Sequence, residues 1–582
     1  MQGSTRRPTR RFRIIAQDPS LRIDGKILTA EVDVPAEELA AGPWGYRVHV
    51  IDYDASTGTL YKPLEYPSAS DGAYADPFEG ASDRILLSDP NFHAQNAYAI
   101  IMRVLARFEY ALGRRVSWGF GGHQLKVAPH AFADANAYYS KKDEGLFFGY
   151  FPGRKGTVFA CLSHDVVAHE TTHALVDGLR ERYVDPSSPD QAAFHEGFSD
   201  VVALLSIFAL REVVGLAIDL ERSPGSGLRA RSDERLIARA DLTPEALRRS
   251  ALLGLAQQMG QELSAVRGQA LRRSVTLVPS PDHLDGEKSP DFLEPHRRGE
   301  ILVAAMLNAF LDVWGKRLAS LGEITKGHLD RSRVVEEGAN AADYLLTMAI
   351  RALDYSTPVH MEFCDYLSAL LTADHEIRPD DSTYHFRDAL RENFAKFGLA
   401  PSSQGTREEP GLWLAPRGQL FYDRTRFESM TRDPDEVFRF IWENRKVLEL
   451  YEGVYTRVLS VRPCVRIGLD GFVLRETVAE YIQAVELRAD ELAKLQIEIP
   501  DGMPDDTEVT LYGGATLIFD EYGRLKFNIA NRLDHPQRQT TRLKYLWRFG
   551  FFNKGASRRR SIAAMHRQRS LNAATKIQEE WS

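Results

Sequence analysis

The sequence predicts an α+β protein made of three consecutive parts and a tail. Strand-like segments with partial alternation, bounded by Gly, Pro and Asp, recur in residues 1–163. From residue 164 to about 400, apolar residues recur mainly at helical spacing. Around residues 400–412 the composition shifts to Ser, Gln, Gly, Glu and Pro, which indicates a domain boundary. We therefore predict domains at 1–163, 164–400 and 401–550, followed by a basic tail at 551–582.

Length and charge limit the classes of function. The chain has 582 residues, and a usual domain size of about 150 residues suggests three or four domains. Its net charge is −8, which does not favour nucleic-acid binding by the whole chain. Arginines cluster near both ends, and we interpret both ends as solvated tails rather than nucleic-acid or membrane contacts. We expect no nucleic-acid partner.

The cysteines and the apolar segments give information about the cellular location of the protein. The three cysteines, Cys161, Cys364 and Cys464, lie far apart and form no CxxC pair, which argues against a disulfide framework and against cysteine-bound metal. The first arginines are not followed by the apolar segment of a secretory signal, and no apolar run approaches the roughly 20 residues of a membrane span. We expect a cytoplasmic protein without a membrane span, although a secreted protein that has lost its leader would look similar.

In the first part, the spacing predicts one long helix followed by three strands. Apolar residues from 91 to 112 favour one face of a helix, and Gly113 is a plausible stop. The sequence Lys-Lys-Asp-Glu-Gly at 141–145 predicts a hairpin turn. The predicted strands are 124–127, 135–140 and 146–151.

The strand at 135–140 carries Asn136 and Ala137 just before the most informative helix of the chain. A sheet edge left unpaired here would accept an extended peptide as an additional strand. The side chain of Asn136 would then be placed to hold a substrate amide. An ordinary sheet edge is the alternative.

The motif His-Glu-x-x-His occupies residues 169–173, inside a segment with helical spacing. Histidines four positions apart lie about one turn apart on one face of a helix. Two neutral imidazoles placed in this way can bind one zinc ion, and Glu170 beside them can take a proton from a metal-activated water. The alternative is a buried helix with two hydrogen-bonded histidines.

The segment Glu196-Gly197-Phe198-Ser199-Asp200 supplies the ligand that this pair lacks. It opens a second apolar run, so Glu196 can reach the same ion from a neighbouring helix. Three protein ligands leave one zinc position open, which is typical of a catalytic rather than a structural site.

The remaining segments show no other catalytic pattern. Helices are predicted at 301–313, 339–353, 360–371 and 382–397. In the third part, Asp433-Pro434-Asp435-Glu436 predicts a helix start, and residues 475–495 predict a further helix. Strands are predicted at 508–512 and 515–531, with a hairpin turn at 521–524.

Residues from about 90 to 400 resemble the thermolysin-like zinc metallopeptidases, which belong to the gluzincin class. The resemblance depends mainly on the HExxH helix and on the segment from Glu196 to Asp200. Asn136-Ala137 is similar to the substrate-binding edge strand of that family. His296, in a loop before an apolar helix, resembles the family's transition-state histidine. The segment Gly268-Gln269-Ala270-Leu271-Arg272 is similar to the segment that carries the family's substrate-contacting arginine, which would be Arg272.

This resemblance implies a two-lobed peptidase, with an N-terminal mixed β lobe, a C-terminal helical lobe and a cleft between them. It implies one zinc ion held by His169, His173 and Glu196, with Glu170 as general base. It also implies that Asp200 orients His169. His296 and Tyr183 would stabilise the oxyanion, and the substrate contacts would be Asn136, Ala137 and Arg272.

Three features depart from the family pattern. An insertion occupies about 215–267, and 401–550 has the pattern of a small α+β accessory module without a counterpart. Asp165 is retained from the family's calcium-binding residues, but Ile207 stands where an acidic partner would be expected. We therefore doubt a calcium site.

The function predicted is a zinc-dependent endopeptidase that hydrolyses peptide or protein substrates. One alternative is an inactive peptidase-like scaffold that binds a protein partner through residues 401–582. Another is a zinc hydrolase of a non-peptide amide or epoxide. Retention of Glu170 together with all three ligands argues against the inactive scaffold.

Overall fold

The computed structural model describes residues 8–23, 25–68, 74–153, 156–185, 187–222, 235–243, 245–249, 270–468 and 471–552, without the side chains of 220–222 and 270–272. These residues form both helices and strands, which confirms the α+β class. Most of the predicted insertion at 215–267 and of the basic tail at 551–582 lies outside the described residues.

The strands are β1 Thr9–Ile15, β2 Arg22–Ile23, β3 Lys26–Ile27, β4 Thr29–Pro35, β5 Val48–Val50, β6 Tyr53–Asp54, β7 Thr59–Leu60, β8 Leu125–Phe132, β9 Ala137–Ser140, β10 Gly145–Gly153, β11 Gly156–Phe159, β12 Leu236–Ala238, β13 His328–Asp330, β14 Tyr455–Ile467, β15 Val473–Arg488, β16 Glu508–Phe519 and β17 Leu525–Asn531. The main helices are α1 Asp83–Ser88, α2 Pro90–Leu112, α3 His164–Leu179, α4 Pro189–Phe208, α5 Arg211–Arg222, α6 Ala270–Thr276, α7 Pro295–Ala319, α8 Arg331–Arg351, α9 Phe363–Ile377, α10 Phe386–Ala395, α11 Phe427–Met430, α12 Pro434–Glu443 and α13 Pro536–Arg548. None of the described helices has by itself the length and apolar composition of a membrane span. Helix α4 reaches that length and composition only when it is taken together with residues 211–219, across a bend of 81°.

The first part contains a five-stranded sheet beside the long helix α2. Strands β5, β8 and β10 run parallel, whereas β9 and β11 pair antiparallel with β10. The predicted hairpin is confirmed, because β9 and β10 flank residues 141–144. Among the described strands, β9 pairs only with β10 and therefore forms a sheet edge.

Helix α2 has strong signals at both ends. The side chain of Asp89 accepts a hydrogen bond from the backbone N–H of Asn91 at 2.9 Å, and Pro90 occupies the first turn. Gly113 adopts a left-handed conformation with φ 67°, which glycine tolerates without a Cβ clash. The predicted helix at 91–112 and its stop are confirmed.

Helices α3, α4 and α7 form the centre of the helical part. Ser188 caps α4 by accepting from the N–H of Gln191 at 3.1 Å, and Glu294 caps α7 by accepting from Arg297. Helices α4 and α7 approach closely at two glycines. A Cβ on Gly299 would lie 2.9 Å from the backbone nitrogen of Gly197. This close approach sets the separation between Glu196, next to Gly197, and the first turn of α7.

The third part contains a four-stranded antiparallel sheet in the order β14-β15-β16-β17. The predicted helix start at Pro434 and the strands near 508–512 and 515–531 are confirmed. The predicted helix at 475–495 is wrong, because most of it forms β15. Residues 476–483 are all buried, so β15 is covered on both faces and lacks the alternation that would have distinguished it from a helix.

This sheet is joined to the helical part by buried ion pairs. Arg466, which is fully buried, contacts Asp354 at 2.5 Å and also pairs with Glu476. Burial alone would raise the pKa of Asp354, but the guanidinium groups of Arg114 and Arg466 hold it well below its ordinary value. Arg180, at the end of α3, pairs with Glu480 of β15 at 2.7 Å. The helix with the HExxH motif is therefore held directly by the C-terminal sheet.

We predict that Gly299→Ala lowers the free energy of unfolding by about 1–3 kcal/mol, the usual cost of overpacking. The added Cβ would meet the backbone of α4 at 2.9 Å. Gly315→Ala is the matched control in the same helix, since a Cβ there meets no described atom within 4 Å. It should be neutral or stabilising by about 0.5–1 kcal/mol. Urea unfolding of both variants measures the difference, and equal stabilities would contradict the close contact.

Candidate metal centre

Helix α3 brings the two histidines of the HExxH motif together. Nε2 of His169 and Nε2 of His173 lie 3.0 Å apart, with the ring planes perpendicular. Both side chains are buried. Their separation is the direct result of the four-residue spacing on a regular helix.

Helix α4 adds the carboxylate of Glu196, which is also buried. Its oxygens lie 3.4 Å from Nε2 of His169 and 3.6 Å from Nε2 of His173. Tetrahedral zinc, with bonds of about 2.0–2.2 Å, places neighbouring donor atoms about 3.3 Å apart. The donor atoms of these three residues all lie within 4.8 Å of one another, and their chemistry and spacing fit one zinc ion.

Three residues of α4 contact the nitrogens of the two imidazoles that face away from Glu196. Nδ1 of His169 lies 2.8 Å from Oδ1 of Asp200. A carboxylate accepts, so Nδ1 carries the hydrogen and Nε2 presents its lone pair towards Glu196 and His173. Nδ1 of His173 lies 3.3 Å from the hydroxyl of Ser199 and 3.4 Å from Nδ1 of His195. The predicted contact between Asp200 and His169 is present, whereas the contacts of His195 and Ser199 were not predicted.

Glu170 faces the edge strand β9. Its carboxylate accepts a hydrogen bond from the backbone N–H of Tyr139 at 3.0 Å. Asn136 and Ala137 lie at the start of this strand and are buried, and Oδ1 of Asn136 accepts from the N–H of Ala137 at 2.9 Å. The structure therefore brings the sheet edge predicted from Asn136-Ala137 against the helix that carries Glu170.

His296 lies in the first turn of α7, beside the cluster of His169, His173 and Glu196. Its Nε2 is 3.4 Å from Oε2 of Glu196. Among the described residues at this centre, the donor atoms that all lie within 4.8 Å of one another belong to His169, His173 and Glu196, and His296 is not in this group. The geometry thus favours His296 as a neighbour of the cluster rather than as a fourth ligand.

Glu294 was not predicted and holds His296 in place. One carboxylate oxygen lies 2.5 Å from Nδ1 of His296, and the other accepts from the N–H of Arg297 at 2.8 Å. Burial alone would raise the pKa of Glu294, but its hydrogen bonds to His296 and to backbone N–H groups lower it to about 2. A carboxylate immediately before Pro295 is an N-cap signal that could have identified it.

The structure does not bring Tyr183 to this cluster, and the role implied for it is therefore dropped. The 3-10 helix Glu181–Val184 directs the ring onto Phe194, and the hydroxyl donates to the carbonyl of Thr357 at 2.6 Å. Tyr183 is buried among packing contacts behind the site, between α4 and the segment after α8.

Three other positions named from the sequence are Arg272, as a substrate contact, and Asp165 and Ile207, in connection with calcium. The side chain of Arg272 lies outside the described residues, although its backbone belongs to α6. Its neighbour Arg273 pairs with the buried carboxylate of Glu300 at 2.8 Å. Asp165 accepts a hydrogen bond from Ser163, and Ile207 is fully buried in α4.

No protein-family model matches this chain, and no curated protein matches its sequence. The chemistry of the centre is therefore inferred from its residues.

We predict that Glu196→Ala removes one equivalent of bound zinc, because it removes one of three ligands. Asp200→Asn should weaken zinc binding about 10- to 100-fold, the usual effect of losing the group that orients a ligand histidine. Asp388→Asn, an exposed carboxylate of α10, is the control and should leave zinc binding unchanged. Metal analysis after competition with a chelator measures these effects. Unchanged zinc content in Glu196→Ala would exclude this centre.

Proposed function

We propose that this chain is a zinc-dependent endopeptidase with a thermolysin-like, two-lobed arrangement. The observation that supports this most is the position of Glu170. Glu170 follows His169 of the His169–His173–Glu196 cluster in the chain, and its carboxylate accepts a hydrogen bond from the backbone of the sheet edge β9. A metal-binding cluster, a carboxylate base and a strand edge that can take a peptide are the parts that peptide hydrolysis requires.

The three ligands would hold one zinc ion, which when bound supplies Lewis acidity and lowers the pKa of water. Glu170 accepts a proton at its carboxylate as water attacks the scissile carbonyl, and then transfers this proton to the leaving amine. The N–H of Tyr139, 3.0 Å from Oε2, fixes the carboxylate for this step. The bond between carbonyl carbon and nitrogen breaks as the amine leaves.

The edge strand would orient the substrate. An extended peptide pairing with β9 forms main-chain hydrogen bonds that do not depend on its side chains. Asn136 is the residue before this strand. Its side chain would bind an amide of the substrate once its hydrogen bond with the N–H of Ala137 is broken. Main-chain binding of this kind suits an endopeptidase, because it recognises chain on both sides of the cleaved bond.

His296 would stabilise the negative oxygen of the tetrahedral species. Glu294 holds Nδ1 of this ring, and Nε2 lies on the side of the cluster, from where it would donate a hydrogen to that oxygen. This donation strengthens only as negative charge develops, so it affects turnover more than binding. Glu294 acts through His296 and is a positioning residue.

The substitution Glu170→Gln tests the proposed general base. We expect hydrolysis of a mixed peptide library to fall about 10²–10⁴-fold, the range that general-base catalysis contributes. Zinc content should be retained, because the cluster consists of His169, His173 and Glu196. Glu181→Gln, an exposed residue just after α3, is the control with full activity. A zinc-loaded unaltered protein that cleaves no peptide would overturn the proposed function.

The substitution Glu294→Gln tests the support of His296. The amide can still cap α7, but it no longer provides an ionised partner for Nδ1. We expect kcat to fall about tenfold while KM and zinc content stay unchanged, since the lost interaction acts on the transition state. Glu287→Gln, exposed in the preceding loop, is the control. An equal rise in KM without a change in kcat would assign Glu294 to substrate binding instead.

A further inference from the structure

A second cluster of metal-binding side chains lies in the strand-rich part. It consists of His93 on α2, His130 on β8 and Cys161 in the 3-10 helix Ala160–Leu162, all buried, with donor atoms within 4.8 Å of one another. It shares no residue with the His169–His173–Glu196 cluster. We propose that this cluster is a second metal site, which takes one borderline-soft transition-metal ion such as zinc.

Each of the two imidazoles has an outer nitrogen, which contacts a neighbouring oxygen, and an inner nitrogen, which faces the other imidazole. The contact of the outer nitrogen determines whether the inner nitrogen carries a hydrogen or a lone pair. Nε2 of His93 lies 3.1 Å from the carbonyl oxygen of Leu87, and Nδ1 of His130 lies 2.8 Å from a carboxylate oxygen of Asp52. Both partners can only accept, so both outer nitrogens carry a hydrogen. In the neutral rings, Nδ1 of His93 and Nε2 of His130 are therefore both lone-pair donors.

These two inner nitrogens face each other at 2.8 Å. Two lone pairs at this distance repel each other, so the two nitrogens either share a proton or bind a cation that lies beside them. A zinc ion there would separate the nitrogens to about 3.3 Å. A shared proton would leave a charged imidazolium in the interior, and a metal ion would bind both lone pairs. His169 shows the same arrangement in the first cluster, with one nitrogen on Asp200 and the other facing His173.

The charge balance and the surroundings favour a divalent metal ion. Burial raises the pKa of the Cys161 thiol, so a thiolate would form there only as a bound metal ion displaces the thiol proton to solvent. This thiolate and the carboxylate of Asp52 would then carry two negative charges, which neutralise one divalent cation in the interior. The set of two imidazoles and one thiolate suits zinc or copper and does not suit magnesium or calcium. The ring of Phe159 covers both imidazoles, with centroids 4.7 Å from His93 and 5.2 Å from His130.

The position of the cluster indicates a structural role. Cys161 lies two residues before Ser163, the N-cap of α3, so an ion here would link α2 and β8 to the start of the helix with the HExxH motif. The side chain of Asn96, also on α2, donates to the carbonyl of Cys161 at 3.0 Å and supports the same junction. Loss of the ion should therefore loosen the entry into α3.

Cobalt substitution of the full-length protein tests the second site. A thiolate bound to cobalt gives a charge-transfer absorption in the near ultraviolet, and the first cluster contains no sulfur. We expect this absorption in the unaltered protein and in Glu196→Ala, but not in Cys161→Ser. Cys364→Ser, outside the cluster, is the matched control and should retain it. Zinc analysis should give about two equivalents for the unaltered protein and about one for Glu196→Ala.

The outcome does not depend on peptidase activity. If Cys161→Ser fails to fold, the spectra of the unaltered protein and of Glu196→Ala still show whether a thiolate binds cobalt. Cobalt-loaded protein without the thiolate absorption would overturn the second site and would mean that His93 and His130 share a proton. An absorption that disappears in Cys364→Ser but persists in Cys161→Ser would overturn it as well.

Discussion

The central constraint on this fold is the burial of lone-pair donors that face one another. Nε2 of His169, Nε2 of His173 and the carboxylate of Glu196 lie within 3.0–3.6 Å in an interior with little access to water. Such a group of donors is costly to bury unless a cation neutralises it. Asp200 increases the need for a cation, because it keeps the hydrogen of His169 on Nδ1 and leaves a lone pair on Nε2. We infer that binding of an ion and packing of α3 against α4 stabilise each other.

The surrounding elements position this group with contacts of different kinds. The backbone contact between Gly197 and Gly299 sets the distance between α4 and α7, and therefore between Glu196 and His296. At the other end of α3, the buried pair between Arg180 and Glu480 joins the helix with the HExxH motif to the C-terminal sheet. The C-terminal sheet is therefore in direct contact with the end of this helix.

The contacts that could be predicted from the sequence are those set by the helical repeat. His169 and His173 share a face because the helical repeat puts them there, and Asp200 follows Glu196 by one turn. Glu294 was missed because its role depends on the rotamer of His296. The cluster of His93, His130 and Cys161 was missed because its members come from three elements, and the absence of a CxxC pair indicated no cysteine-bound metal. The strand β15 was mistaken for a helix because contacts on both faces remove its alternation.

Anomalous diffraction at the zinc edge, from crystals of the full-length protein, would locate a zinc ion bound between α3 and α4. We expect an anomalous peak about 2.0–2.2 Å from Nε2 of His169, Nε2 of His173 and a carboxylate oxygen of Glu196. A map from zinc-supplied protein with no peak between these three side chains would contradict it.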